Sequence, residues 1–194
     1  SYLPIAQIRN GIIKTRDERY VKIVEVLPIN FLLRSASEKR SIVQAFASYL
    51  KIAPPKLQFK VLSKKADMKE YIEKIRKEAG AETNERCRLL QEDYVRLLQE
   101  LGTREAITRR FFLIFQYPLS GTKVAEEKEI YLYMQSAVQT ARKYLAMCGN
   151  LVLEHKNETR FCVEVFYQLL NRKTSLKESL DDRIKKVRTH YLEK

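Results

Sequence analysis

The stretch RYVKIVEVLPINFLL, residues 19–33, restricts the fold of this chain more than any other, because its alternation breaks halfway. Val21 and Ile23 place apolar side chains on odd positions, with Lys22 between them. From Val24 the apolar set moves to even positions, Val24 and Val26, and Glu25 takes the odd face. Side chains in a strand alternate with a period of two, so such a run needs a bulge, a sharp twist or cover on both faces. A second segment, RRFFLIFQYP from Arg109, is apolar on both faces from Phe111 to Phe115 and predicts a central strand covered on both sides.

Around these strands the pattern alternates between periods. Asn10-Gly11 is a turn dipeptide between two short strands, and TRDER makes a second polar connection. Ser35 and Glu38 have capping-box spacing before a helix with the stripe Ile42, Val43, Phe46 and Leu50, which Pro54-Pro55 ends. KLQFKVL alternates as a half-buried strand, with Leu57, Phe59 and Val61 inward. Residues 66–101 form a long helix or a helical hairpin. Met68, Ile72, Ile75 and Ala79 make one stripe, and Cys87, Leu90, Tyr94, Leu97 and Leu101 a second, offset across GAETNE. A break near Gly80 follows, with Thr83 or Asn84 as a new cap. Thr122 opens a helix that closes on Gly149-Asn150, LVLEH is a short strand, and Asn157 starts another helix. Ser175 and Glu178 repeat the capping-box spacing before a C-terminal helix within 173–194. The fold class is α+β: a small mixed or antiparallel sheet packed in two layers against several amphipathic helices, as a single domain over 1–194 with 66–101 as a protrusion.

The chain has 194 residues and a formal charge of +13, from 37 Lys and Arg against 24 Asp and Glu. Residues 1–63 carry 11 basic and 4 acidic side chains, whereas residues 64–106 carry 10 of each. Such an excess suits nucleic acid, anionic lipid or an acidic protein as partner. The three cysteines, Cys87, Cys148 and Cys162, show no paired spacing and fit a reducing, cytoplasmic compartment. No apolar run approaches the ~20 residues that span a bilayer.

Catalytic patterns are missing. LSGTKVAEEK holds Gly121 and Lys123 but lacks the glycine spacing that lets a loop cradle phosphates. His155 and His190 have no neighbours at metal-ligand spacing, and nothing singles out Cys162 with His155 as a nucleophile pair. The expectation is a protein without catalytic residues, metal or cofactor. The residues that could hold a polyanion are Arg9, Lys14, Arg16, Arg19 and Lys22, interleaved with Tyr20, and Lys185, Lys186 and Arg188 on the last helix. Tyrosine on a basic sheet can stack on unpaired bases, though tyrosine is also simply a good strand residue.

NGIIKT, RYVKIVEVLPINF and the helix ending FASYLK, within residues 3–62, resemble the start of conjugative-transfer ATPases of type IV secretion systems, the TraC-like family, especially those of Gram-positive mobile elements. The resemblance implies a stand-alone or excised N-terminal domain that docks a motor to membrane-channel components at the cytoplasmic face of the membrane. Partners would be protein components of that channel or motor, the anionic membrane surface, or a second copy of the chain. The phosphate-binding and metal-binding motifs of the family's motor do not occur in residues 1–194, so no ATPase residue carries over. The competing reading is a basic α+β protein that contacts transferred DNA.

Overall fold

The computed structural model of the chain describes residues 4–65, 69–103, 107–118 and 126–192. Met68, Gly121, Thr122 and Lys123, and the side chains of Leu101, His190 and Tyr191, lie outside the described residues. The chain divides into two compact units, Ser1–Leu62 with Arg110–Leu170, and Ser63–Arg109 with Asn171–Lys194.

The first unit is built on a sheet. Its elements are β1 (Ile5–Arg9), β2 (Ile12–Thr15), β3 (Tyr20–Leu27), a 3-10 turn (Phe31–Leu33), α1 (Ala36–Ile52) and β4 (Gln58–Lys65) as far as Leu62, then β5 (Ile107–Gln116) from Arg110, α4 (Glu127–Met147), β6 (Leu151–Val152) and α5 (Glu158–Leu170). The strand order is β1-β2-β3-β5-β4, with β6 also beside β3. The pairs β1–β2, β2–β3, β3–β5 and β3–β6 are antiparallel. Asn10 and Gly11 both have positive φ, 49° and 68°, as a two-residue hairpin turn with the twist of its flanking strands requires.

β3 resolves the broken alternation. Its register with β5 runs one-to-one from Val21↔Gln116 to Val26↔Phe111, so the run contains no bulge. Both faces are covered instead. Val24, Leu113 and Phe115 bury against α4 and Tyr49 of α1, in a core that includes Met134, Val138 and Ala141. Ile13, Ile23 and Phe112 bury on the other face against Phe161, Cys162 and Val165 of α5. The unit thus has three layers, not two, because the apolar content of β3 and β5 on both faces demands a helix on each. At its other edge β3 changes neighbours, pairing with β2 over Tyr20–Lys22 and with β6 over Val26–Leu27.

The capping signals before α1 and α5 are realised. Ser35 Oγ accepts from the Glu38 amide at 3.3 Å while the Glu38 carboxylate accepts from the Ser35 amide at 2.9 Å. The Asn157 side chain accepts from the Arg160 amide at 2.9 Å. β4 departs from expectation: Leu62 is the buried residue, and Phe59 and Val61 are about half exposed. β4 is the outermost strand of the order, so its expected inward face is covered only at Leu57, while Leu62 on the opposite face joins the core under α5.

The second unit contains α2 (Lys69–Ala81), α3 (Glu85–Thr103) and α6 (Leu180–Leu192). Residues 69–103 are therefore two helices, and the Asn84 side chain caps α3 by accepting from the Arg86 and Cys87 amides. α2 packs with the expected Ile72, Ile75 and Ala79. α3 does not: it buries Val95 and Leu98, while Leu90, Tyr94 and Leu97 face solvent. The contact sits about 100° around the helix from the row seen in sequence, because one neighbouring helix covers one flank only. The cap of α6 falls four residues after the expected Ser175. Ser179 caps it, accepting from the Asp182 amide at 3.2 Å and donating to the Asp182 carboxylate at 2.7 Å.

Candidate functional site

Three of the candidate polyanion residues converge. Arg9 and Lys14 on the β1–β2 hairpin and Tyr20 at the start of β3 line a cleft of about 280 Å³. The first turns of α4 supply Glu127, Lys128 and Tyr131 to the same cleft, above a floor of Ile12 and Ile130. Two tyrosine rings and three cationic heads around an apolar floor can hold a stacked base and its phosphate. Lys128 and Tyr131 lie more than 100 positions from the hairpin in sequence, and no local pattern marks them.

Carboxylates temper this cleft. Arg9 donates to Glu127 at 3.1 Å, and Lys14 lies 2.7 Å from Glu18 and 5.7 Å from the Tyr20 ring centre. The hydrogen bond to Glu18 holds the Lys14 ammonium above its ordinary pKa, so its charge is already partnered. Arg19 pairs with Asp17 at 2.5 Å, and the Arg19 and Thr15 side chains hold the Asp17 carboxyl below the usual range. Arg16 is exposed beside this pair. In the second unit Lys186 pairs with Glu178 at 2.8 Å, while Lys185 and Arg188 are exposed on α6. A phosphate entering the cleft has to compete with Glu127 and Glu18 for the same cations.

Lys22 corrects the sequence reading. Its side chain is only 4% exposed, and Nζ lies 3.1 Å from both Glu158 carboxylate oxygens. Desolvation and this partner remove it from any surface for nucleic acid or lipid. It belongs to a buried polar layer between the sheet and α5. Nearby, Arg110 grips Glu25 through two hydrogen bonds of 2.6 and 2.7 Å and donates to Glu164 at 2.7 Å and Gln168 at 3.1 Å. Burial opposes the Arg110 charge, but the Glu25 and Glu164 carboxylates outweigh it and the pKa is pushed up. His155 stacks on Phe161 at 3.8 Å with Nε2 3.3 Å from Glu25. Cys162 lines a small void with His155, but burial pushes its thiol up to about 11, opposite to an activated nucleophile. Sequence reading missed the network; its signal was two charges, Lys22 and Glu25, inside a strand otherwise built for burial.

An apolar surface lies elsewhere on the first unit. On α1, Val43 and Leu50 are exposed on the same flank as Phe46, whose ring lies 6.0 Å from that of Phe59 on β4. Val61 continues this row along β4. Leu32 and Leu33, in the 3-10 turn before α1, are each 82% exposed. Lys39, Arg40 and Lys51 on α1 place positive charge on the same helix. Among the described residues no helix is long and apolar enough to cross a membrane, and no cluster of His, Cys, Asp and Glu could hold a metal ion.

A family model described as the archaeal TraC-like domain matches residues 6–194, covering both units. No curated protein matches the chain.

Proposed function

This chain belongs to the archaeal TraC-like domain family, and from that premise we propose that it is a non-enzymatic docking module of a conjugative DNA-transfer apparatus. In this reading it does the work of the N-terminal, non-motor part of a conjugative ATPase, peripheral to the cytoplasmic face of the membrane. The observation that supports it best is the row of exposed Val43, Leu50, Phe59 and Val61 around the half-buried Phe46, beside an outer strand. Large contiguous apolar surface with positive charge nearby suits an acidic, apolar protein partner. The test is site-specific photocrosslinking from position 43 or 59 in cells that carry the transfer apparatus. Crosslinks to a channel or motor protein, lost on Val43→Glu, are the expected result. Crosslinks to lipid alone, or none at all, would overturn it.

The second reading, contact with single-stranded DNA, draws support from the cleft of Arg9, Lys14, Tyr20, Lys128 and Tyr131. Because Glu127 and Glu18 already partner two of its cations, binding is expected to be weak and to vanish between low and near-physiological salt. Fluorescence titration of labelled single- and double-stranded DNA at both salt levels decides it. Saturable binding that survives the higher salt and is lost in Tyr20→Ala would promote this reading over the first.

A further inference from the structure

We infer that the α2–α3 hairpin holds a phosphate chain, in the cleft where three arginines of an otherwise neutral segment come together. Arg76 and Gly80 of α2, one turn apart, face Arg88, Glu92 and Arg96 of α3, which repeat at steps of four. Between them lies a cleft of about 380 Å³, the size of a small-ligand site, with the buried Ala79 and Val95 as its floor. Residues 64–106 carry 10 basic and 10 acidic side chains, yet this cleft takes three guanidiniums and one carboxylate. A net charge of zero does not produce such a cluster; the hairpin has sorted its charges.

The guanidiniums still have donors to give. Arg88 Nε is 3.7 Å from Glu92 and Arg96 Nη1 is 3.6 Å from Asp93, both beyond hydrogen-bond length, and Arg76 has no ion pair among the described residues. A guanidinium offers five N–H groups, so pairs of this length leave the forks open to a stronger acceptor. Chemistry narrows that acceptor. A carboxylate has two oxygens in one plane, which a single fork takes up. A phosphate presents three oxygens around a tetrahedron, so arginines from opposite helices can grip it together. Arg88 and Arg96 stand two turns apart, ~12 Å along α3, which suits linked phosphates better than a single one. Gly80 is an independent sign. Glycine weakens a helix relative to alanine, and neither a positive φ nor a close neighbour requires it here, since a Cβ at Gly80 meets nothing within 4 Å. Its effect is to leave the wall of the cleft bare. This goes beyond the docking reading and does not depend on it, since the row on α1 and β4 belongs to the other unit.

The experiment is isothermal titration calorimetry of the full chain with inorganic tripolyphosphate, at near-physiological salt and without divalent cations. Saturable binding is expected, about 10-fold or more tighter than that of citrate or of inorganic phosphate. Arg76→Gln should weaken it about 10-fold, and Glu92→Gln, which removes the competing carboxylate, should strengthen it about 3-fold. Arg86→Gln takes the same charge from α3 outside the cleft and should change it by less than about 2-fold. Gly80→Leu should abolish binding while helix content and the thermal midpoint hold or rise, which separates lost binding from lost folding. A nucleoside triphosphate in place of tripolyphosphate identifies the source of the chain. Equal or lower affinity means that a free phosphate chain is read, and higher affinity that a base packs on Ala79 and Val95. Tripolyphosphate bound no better than citrate would overturn the proposal. So would equal losses from Arg86→Gln and Arg76→Gln, unchanged binding in Gly80→Leu, or binding through Arg76 that only single-stranded DNA shows.

Discussion

The sheet unit and the α2–α3 hairpin use similar side chains to different depths. In the sheet unit Tyr49, Phe112 and Phe115 are essentially inaccessible, and helices lie on both faces of β3 and β5. In the hairpin the described buried apolar residues are Ile75, Ala79, Val95 and Leu98, with Ile72 packed beside them. Among the described residues the sheet unit buries charge at Lys22 and Glu25, with Arg110 nearly covered beside them, and the α2–α3 hairpin buries none. The hairpin's ion pairs, such as Arg88–Glu92 and Arg96–Asp93, run along the outside of one helix. Three layers can enclose a paired charge; two helices cannot.

The sharpest way to break this contrast is Arg110→Ala, which strands Glu25 and Glu164 without their cation. A loss of about 3–5 kcal/mol is expected, read as a fall in the urea midpoint of the sheet unit. Replacing both Arg110 and Glu25 by apolar residues should recover much of it. Leu98→Ala probes the other region. It should cost about 2–3 kcal/mol, but locally. Hydrogen exchange of α2 and α3 amides should accelerate while that of β3 and β5 stays unchanged; equal acceleration in both would show one cooperative whole.

Alkaline pH separates the regions a third way. The buried Cys162 thiol is pushed up to about 11, and the Tyr49 hydroxyl, desolvated and without a hydrogen-bond partner among the described residues, to about 12. In the unfolded chain both groups lose their protons at lower pH. Their contribution is therefore full below the usual thiol range and drains away as pH rises toward 11. Urea midpoints should fall between pH 9 and 11 by the equivalent of ~1–3 kcal/mol, and Cys162→Ala should flatten that slope. The smallest expected effect is Ser35→Ala, which removes the α1 cap for about 1 kcal/mol with no change in the hairpin. A thermal melt reads it.

Much of this architecture was legible wherever cause and effect lie close in sequence. Ser35 with Glu38, Asn84, Asn157 and the Asn10-Gly11 turn act on amides a few residues away, so the local pattern carries the whole physics. What escaped was decided at a distance. Lys22 looked like a surface cation because its partner, Glu158, is 136 positions away. Arg110 reaches Glu25 across 85 positions. Tyr131 and Lys128 enter the cleft only because α4 packs where it does. For α3, periodicity marked the row Cys87, Leu90, Tyr94 and Leu97, whereas the neighbouring helix covers Val95 and Leu98, which no local pattern singled out.

The change of neighbours along β3 has a kinetic side. Its partners come from β2, β5 and β6, so the strand cannot be completed until Val152 has been made. During synthesis the first three strands emerge with Lys22 and Glu25 still lacking Glu158 and Arg110. Until then the early sheet is a template with two unsatisfied charges and an open edge. Closing loops that long is slow, so folding of this unit should lag far behind that of the neighbouring hairpin.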